Sequence, residues 1–309
     1  MKISKIPALT VLAALVTVSA GAAPPLRKER KIRIMTTVFP LSEIARAVAG
    51  DGAEVALILP PGVEVHTWQP RFSDVRKLAA VDAFVCIGGG LEPWADDLLR
   101  GAGRPDLRVL EIGRTLPLAV SADPDADEHG RGGGKDPHVW LDLGIDQEIV
   151  DKIAGLLSEL APVSTAAFRS RASSYKSELA GTDRDFRAAL GACGTRTFVY
   201  CGHAAFGYLA RRYGLRQMAV FGASPDAAPT PRELASVIEK VRSLKARTVF
   251  FEPGIGEKMA RMIADACGAD TRSLSAGHNL TPEETAAGRT FLDLMRSNME
   301  NLKHGLSCR

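Results

Sequence analysis

Six histidines are spread along the 309-residue chain, and four of them share one kind of position. His66 follows Pro60-Pro61-Gly62 and precedes Thr67-Trp68-Gln69-Pro70, just past an expected strand. His138 follows Asp136-Pro137 and precedes the strand-like Val139-Trp140-Leu141. His203 lies between an expected strand at 197–200 and an expected helix at 205–213, and His278 lies in the loop 275–280 ahead of the last expected helix. Imidazole is the commonest metal-binding side chain, and three or four together suit Zn²⁺. A lone histidine is more often a core or surface residue. Four in one setting point to a shared ion, although no compact HxxxH or HExxH pair is present. His129 and His304 are the expected bystanders, one in a polar loop and one near a helix C-terminus, where a cation is favourable.

The elements that must hold these side chains read as alternating strands and helices. Residues 31–38 (KIRIMTTV), 55–59, 83–87 and 107–111 have strand character, with helices at 41–49 and 74–80, the latter capped by Ser73. The pattern resumes with strands at 197–200 and 248–251 and a helix at 257–267 closed by Gly268. Thr230-Pro231-Arg232-Glu233 and Thr281-Pro282-Glu283-Glu284 are capping boxes with Pro at the first helical position, opening helices to about 244 and 303. The longest helical pattern covers 165–190. Such alternation implies two α/β lobes, each a mostly parallel sheet flanked by helices, joined by one long rigid helix. The expected division is a leader at 1–23, an N-terminal lobe at 24–145, a connecting segment at 146–190 and a C-terminal lobe at 191–309. Ligands bind beyond the carboxyl ends of strands in open α/β sheets, which is where His66, His203 and His278 fall.

Composition narrows the classes. Lys and Arg number 39 against 36 Asp and Glu, a net charge of +3, so no basic excess argues for nucleic acid. The segment 1–23 has Lys2 and Lys5, an apolar run of ~13 residues and then Ala20-Gly21-Ala22, the pattern of a removable secretory signal and too short to span a bilayer. Export permits disulfides. Five cysteines leave at least one free; Cys86 reads as a buried hydrophobe, and Cys267 with Cys308 is one candidate bridge. The stretch 123–136 (DPDADEHGRGGGKD) is too polar and glycine-rich to bury a core.

The segments TTVFPLSEIARAVAGDGAEVALILPPGVEVHTWQPRFSDV, DPHVWLD, GHAAFGYLARRYGL and VFFEPGIGEKMARMIADACGA resemble the zinc/manganese substrate-binding proteins of ABC transporters. The resemblance runs from about Lys31 to the C-terminus. It implies a metal held between two lobes, with His66, His138 and His203 at the positions of the three family histidine ligands. The family's frequent fourth ligand, an Asp, falls on Ser275, a poor Zn²⁺ ligand; His278, three residues on, is the expected replacement, and a water completing three-His coordination is the alternative. Glu252 would then orient an imidazole. Nitrogen-only ligation favours Zn²⁺ over Mn²⁺ or another divalent metal. Since imidazoles bind only when neutral, affinity should fall below about pH 6. The implied partner is a membrane permease with its ATPase, served by a monomer with no membrane span of its own and no enzymatic step. A secreted three-His zinc hydrolase, with Glu252 or Glu64 as base, is the other reading, and no catalytic motif supports it.

Overall fold

A computed structural model describes residues 31–120, 134–220, 230–254 and 256–309. The leader 1–23 and the loop segment 123–133 with His129 lie outside the described residues. The alternating run after Lys31 forms β1 (Ile32–Thr36), followed by α1 (Phe39–Ala49), β2 (Ala53–Leu57), α2 (Phe72–Leu78), β3 (Ala83–Cys86), α3 (Ala95–Ala102), β4 (Arg108–Glu111) and the one-turn α4 (Ile112–Thr115). Two helices follow in succession, α5 (Leu143–Leu160) and the 25-residue α6 (Thr165–Ala189). The second half contains β5 (Thr197–Cys201), α7 (Gly207–Tyr213), β6 (Arg216–Ala219), α8 (Pro231–Ser243), β7 (Thr248–Phe251), α9 (Glu257–Cys267), β8 (Asp270–Ser273), α10 (Pro282–Ala286) and α11 (Phe291–Gly305).

The strands form two four-stranded parallel sheets, ordered β2-β1-β3-β4 and β6-β5-β7-β8. The two halves thus repeat one topology without a visible sequence repeat. In each sheet the strand order reverses between the first and third strands, the crevice where open α/β sheets bind ligands. β3 (AFVC) is buried at every position, as a central parallel strand covered on both faces requires.

Period-two alternation along β5 sorts its side chains onto two faces. Phe198 and Tyr200 join the main apolar cluster, whereas Val199 and Cys201 join a smaller one with Val241, Val249 and Ile263. The main cluster continues through α6 and α11 to the N-terminal lobe, so one core crosses between the sheets. α5 contributes Leu143, Ile149, Val150, Ile153 and Leu157 to it, at helical spacing. Each such side chain contributes roughly 1.5–3 kcal/mol on burial.

Several expected elements differ. α5 lies in a stretch expected only as connection, so α6 does not stand alone: α5 packs along it, and α1 packs against both. Val139-Trp140-Leu141 is a 3₁₀ turn, not a strand, because Asp142 accepts from Gly144 N and Ile145 N and starts α5 at once. Ser73 is inside α2; the cap there is the Asp74 carboxylate accepting from Arg71 N. The last helix is two, since α10 stops before Gly288 and Thr290 with Asp293 opens a second capping box. The disulfide joins Cys193 to Cys308, not Cys267 to Cys308. Cys267 is free and instead donates weakly to Ile238 O.

Candidate metal centre

His66 stands in the loop after β2, His138 at the 3₁₀ turn before α5, and His203 in the loop after β5. The structure brings one ring nitrogen of each to within 4.8 Å of the others. The ring centroids are 5.1–5.5 Å apart. His138 Nε2 and His203 Nε2 are 3.2 Å apart. Two nitrogens bound tetrahedrally to one Zn²⁺ at ~2.0–2.1 Å would be separated by about 3.3 Å, so this spacing already matches a shared ion.

The His138 ring is braced directly, and the other two histidines through their backbone. His138 Nδ1 lies 2.9 Å from Asp136 Oδ1, which also accepts from the His138 amide. An acceptor at Nδ1 places the ring proton there and leaves the Nε2 lone pair facing His203. The backbone around His203 is fixed by Gln217, whose amide donates to His203 O and accepts from Phe206 N. Glu64 Oε1 accepts from the His66 amide. Trp94 Nε1 donates to Val65 O, and Trp68 packs edge-on against Trp94 at 4.6 Å, which pins the loop carrying His66.

His278 is not one of the converging three. Its Nε2 faces Glu64 Oε2 at 3.5 Å, so Glu64 stands between His66 and His278. The loop that carries His278 is held on both sides. Ser275 and Asn298 of α11 exchange two hydrogen bonds, and Asn279 Nδ2 donates to Pro60 O and Val63 O in the other lobe. Glu252, just past β7, accepts from Tyr200 OH, Ser275 Oγ and Ala276 N, and touches none of the three converging rings by hydrogen bond among the described residues. Ser275 therefore spends its hydroxyl on Glu252. A cavity of about 370 Å³ lined by Glu252, Ser275, His278 and Asn279 opens beside these groups.

Electrostatics favour neutral imidazoles and a cation among them. Burial, aided by His138, pushes His66 down to about 4, and burial with His138 and His66 pushes His203 well below the usual histidine range. Both rings are therefore unprotonated and ready to ligate at neutral pH. Proton competition at His66 lies below the pH 6 expected from an ordinary imidazole. Burial raises the Glu64 carboxyl, yet His278 and His66 together hold it below the usual carboxylate range. Burial raises that of Glu252. Asp136 and Gln217 were absent from the candidate list drawn from sequence. Asp136 carried a signal in Asp-Pro-His, two residues ahead of the imidazole it braces; Gln217 carried none.

A two-lobed, doubly wound α/β protein with buried imidazoles gathered from both sheets is a metal-binding protein of the solute-binding type. The chain belongs to the family described as zinc-uptake complex component A, periplasmic, whose profile matches residues 34–305. A zinc-binding lipoprotein, AdcA, of Streptococcus pneumoniae is 33% identical over 278 residues, covering 88% of this chain and 55% of that protein. The high-affinity zinc uptake system protein ZnuA of Bacillus subtilis is 27% identical over 284 residues, with 90% and 89% covered. The chain spans about half the length of the streptococcal relatives it matches. The crystal structure of the Zn(II)-bound ZnuA-like domain of S. pneumoniae AdcA superposes with a TM-score of 0.77 at 31% identity, covering 90% of this chain and 99% of that domain. No helix among the described residues is long and apolar enough to cross a membrane.

Proposed function

We propose that this chain captures Zn²⁺ in the periplasm and delivers it to a membrane permease of an ABC importer with its ATPase. The 3.2 Å separation of His138 Nε2 and His203 Nε2, with His66 converging on the same point, carries the reading. His66, His138 and His203 are the proposed ligands, with His278 completing four-coordination by releasing Glu64. Neutral nitrogen donors favour Zn²⁺ over Mn²⁺, which prefers carboxylates. Capture and release require no reaction, so the protein acts as a carrier. The leader 1–23 serves export, and the working division remains lobes at 24–145 and 191–309 around the segment 146–190. The matches to zinc-binding and zinc-uptake proteins support the same cargo.

Isothermal titration of the metal-free protein tests this. Zn²⁺ should bind more tightly than Mn²⁺, and His203→Ala should lose more than the roughly 10–100-fold that outer groups contribute. Tighter Mn²⁺ binding would overturn the zinc assignment. An unchanged Zn²⁺ affinity in His278→Ala would remove His278 from the ligand set.

A further inference from the structure

We infer that Arg211 and Arg212, neighbours on α7, form a clamp that fixes His138 relative to His203, which makes Arg212 a positioning residue of the metal centre. The inference rests on the proposed capture of Zn²⁺. His138 sits in the segment Asp136-Pro137-His138-Val139-Trp140-Leu141-Asp142, bracketed by two aspartates. α7 begins four residues after His203 and belongs to the other lobe. Successive helical side chains point about 100° apart, and these two arginines reach the two ends of that segment. Arg211 Nη2 lies 3.8 Å from Asp136 Oδ2, and Arg212 Nη1 donates to Asp142 Oδ1 at 2.6 Å.

Arg212 is the stronger jaw. It and Asp142 are largely buried, whereas Arg211 is 44% exposed and its pair is screened by water. The same guanidinium anchors on α6, where Nε and Nη2 donate to the two Asp183 oxygens at 2.6 and 2.8 Å and Tyr213 OH donates to Oδ1. Burial raises the Asp183 carboxyl, but the Arg212 and Tyr213 hydrogen bonds hold it below the usual range. Arg212 therefore ties the start of α5 to the long helix and to the helix that follows His203. Two close approaches are made over glycine. A Cβ on Gly144 would meet the Arg212 guanidinium, and one on Gly207 would meet Asp136 Oδ2. Both jaws thus close on openings built into the backbone. Asp136, gripped by Arg211, is the same group that holds the His138 proton at Nδ1. Small displacements at either aspartate pass directly to the 3.2 Å gap between the two Nε2 atoms.

The test compares Arg212→Met, Arg212→Lys and Arg211→Met with the parent, by Zn²⁺ titration and by the visible spectrum of bound Co²⁺. Arg212→Met should lose about 10–100-fold in Zn²⁺ affinity, the range of groups that orient metal ligands, with a shifted Co²⁺ band. Arg212→Lys should recover part of the loss, because an ammonium cannot bridge both carboxylates with a fork, and it keeps the test open if the Met variant does not fold. Arg211→Met should lose less. A folded Arg212→Met protein with Zn²⁺ affinity within twofold of the parent and an unchanged Co²⁺ spectrum overturns the clamp, since a purely structural role lowers only the melting temperature. If the parent binds no Zn²⁺, the capture reading falls and the clamp is still read in the metal-free protein. There Arg212→Met must move the His138 and His203 ring NMR signals, and unmoved signals overturn it.

Discussion

Asp146, one residue among the apolar face of α5, is fully buried, and neither carboxylate oxygen has a hydrogen-bond partner among the described residues. Burial first, then Asp142, raises its pKa well above the usual carboxylate value, with Arg212 opposing. The folded state therefore holds this proton more tightly than the unfolded chain does. Stability from the neutral acid is present in full below the ordinary carboxylate pKa and is lost as pH rises toward the folded value. Melting curves between about pH 4 and pH 8 should show the parent losing stability with rising pH through this group. Asp146→Asn should flatten that slope and gain about 1–3 kcal/mol at the upper end; a variant that tracks the parent throughout would disprove the assignment. Burial of this Asp is invisible in sequence, where it lies in a stretch expected only as connection. The histidines were more legible, because three of the four follow strand ends and loop placement survives errors in strand boundaries. The contacts that set these loops were not, since Glu64 to the His278 ring and Gln217 to the His203 carbonyl join residues apart in the chain.

At the scale of elements, capping chemistry and glycine stops were readable, and packing was not. Thr230 with Glu233 caps α8 as its sequence suggests. The second box at Thr290 escaped because its acid is Asp293 and it directly follows Arg289, inside what looked like one continuous helix. Thr290→Ala should cost about 1 kcal/mol of stability, measured by denaturant unfolding, and an unchanged midpoint would show the cap to be idle. α5 was missed for a different reason: its apolar face is defined by α1 and α6, elements far from it in the chain. The disulfide joins the segment before β5 to the residues after α11, across a sequence separation of 115. Cys193 precedes β5 while His203 follows it, so the bridge and the metal centre lie at opposite ends of that strand. Cys308→Ser should therefore cost about 2–4 kcal/mol in unfolding free energy and leave Zn²⁺ affinity unchanged. A fall in affinity equal to that of a ligand variant would show the two ends to be coupled.

Across the whole molecule, the continuous core and the bonds from Asn279 to Pro60 and Val63 leave little freedom for the lobes to part. Phe39 N also donates to His278 O, and Gly62 N to Leu280 O, so the loop after β8 is stitched to the N-terminal lobe along its length. Small-angle scattering should accordingly give the same radius of gyration with and without Zn²⁺; a contraction on binding would show hinge closure instead. The order of the chain adds a consequence in time. Both sheets are complete by Ser273; the loop after it reaches the other lobe, and α11 packs on α6, α1 and β8 before Cys308 closes onto Cys193. A chain that folds from its amino end can close each sheet from its own local segments. The stitches from His278, Asn279 and Leu280 to the N-terminal lobe wait for the segment after β8. Of the four histidine-bearing segments, the loop carrying His278 is thus the last to reach its place against the other lobe.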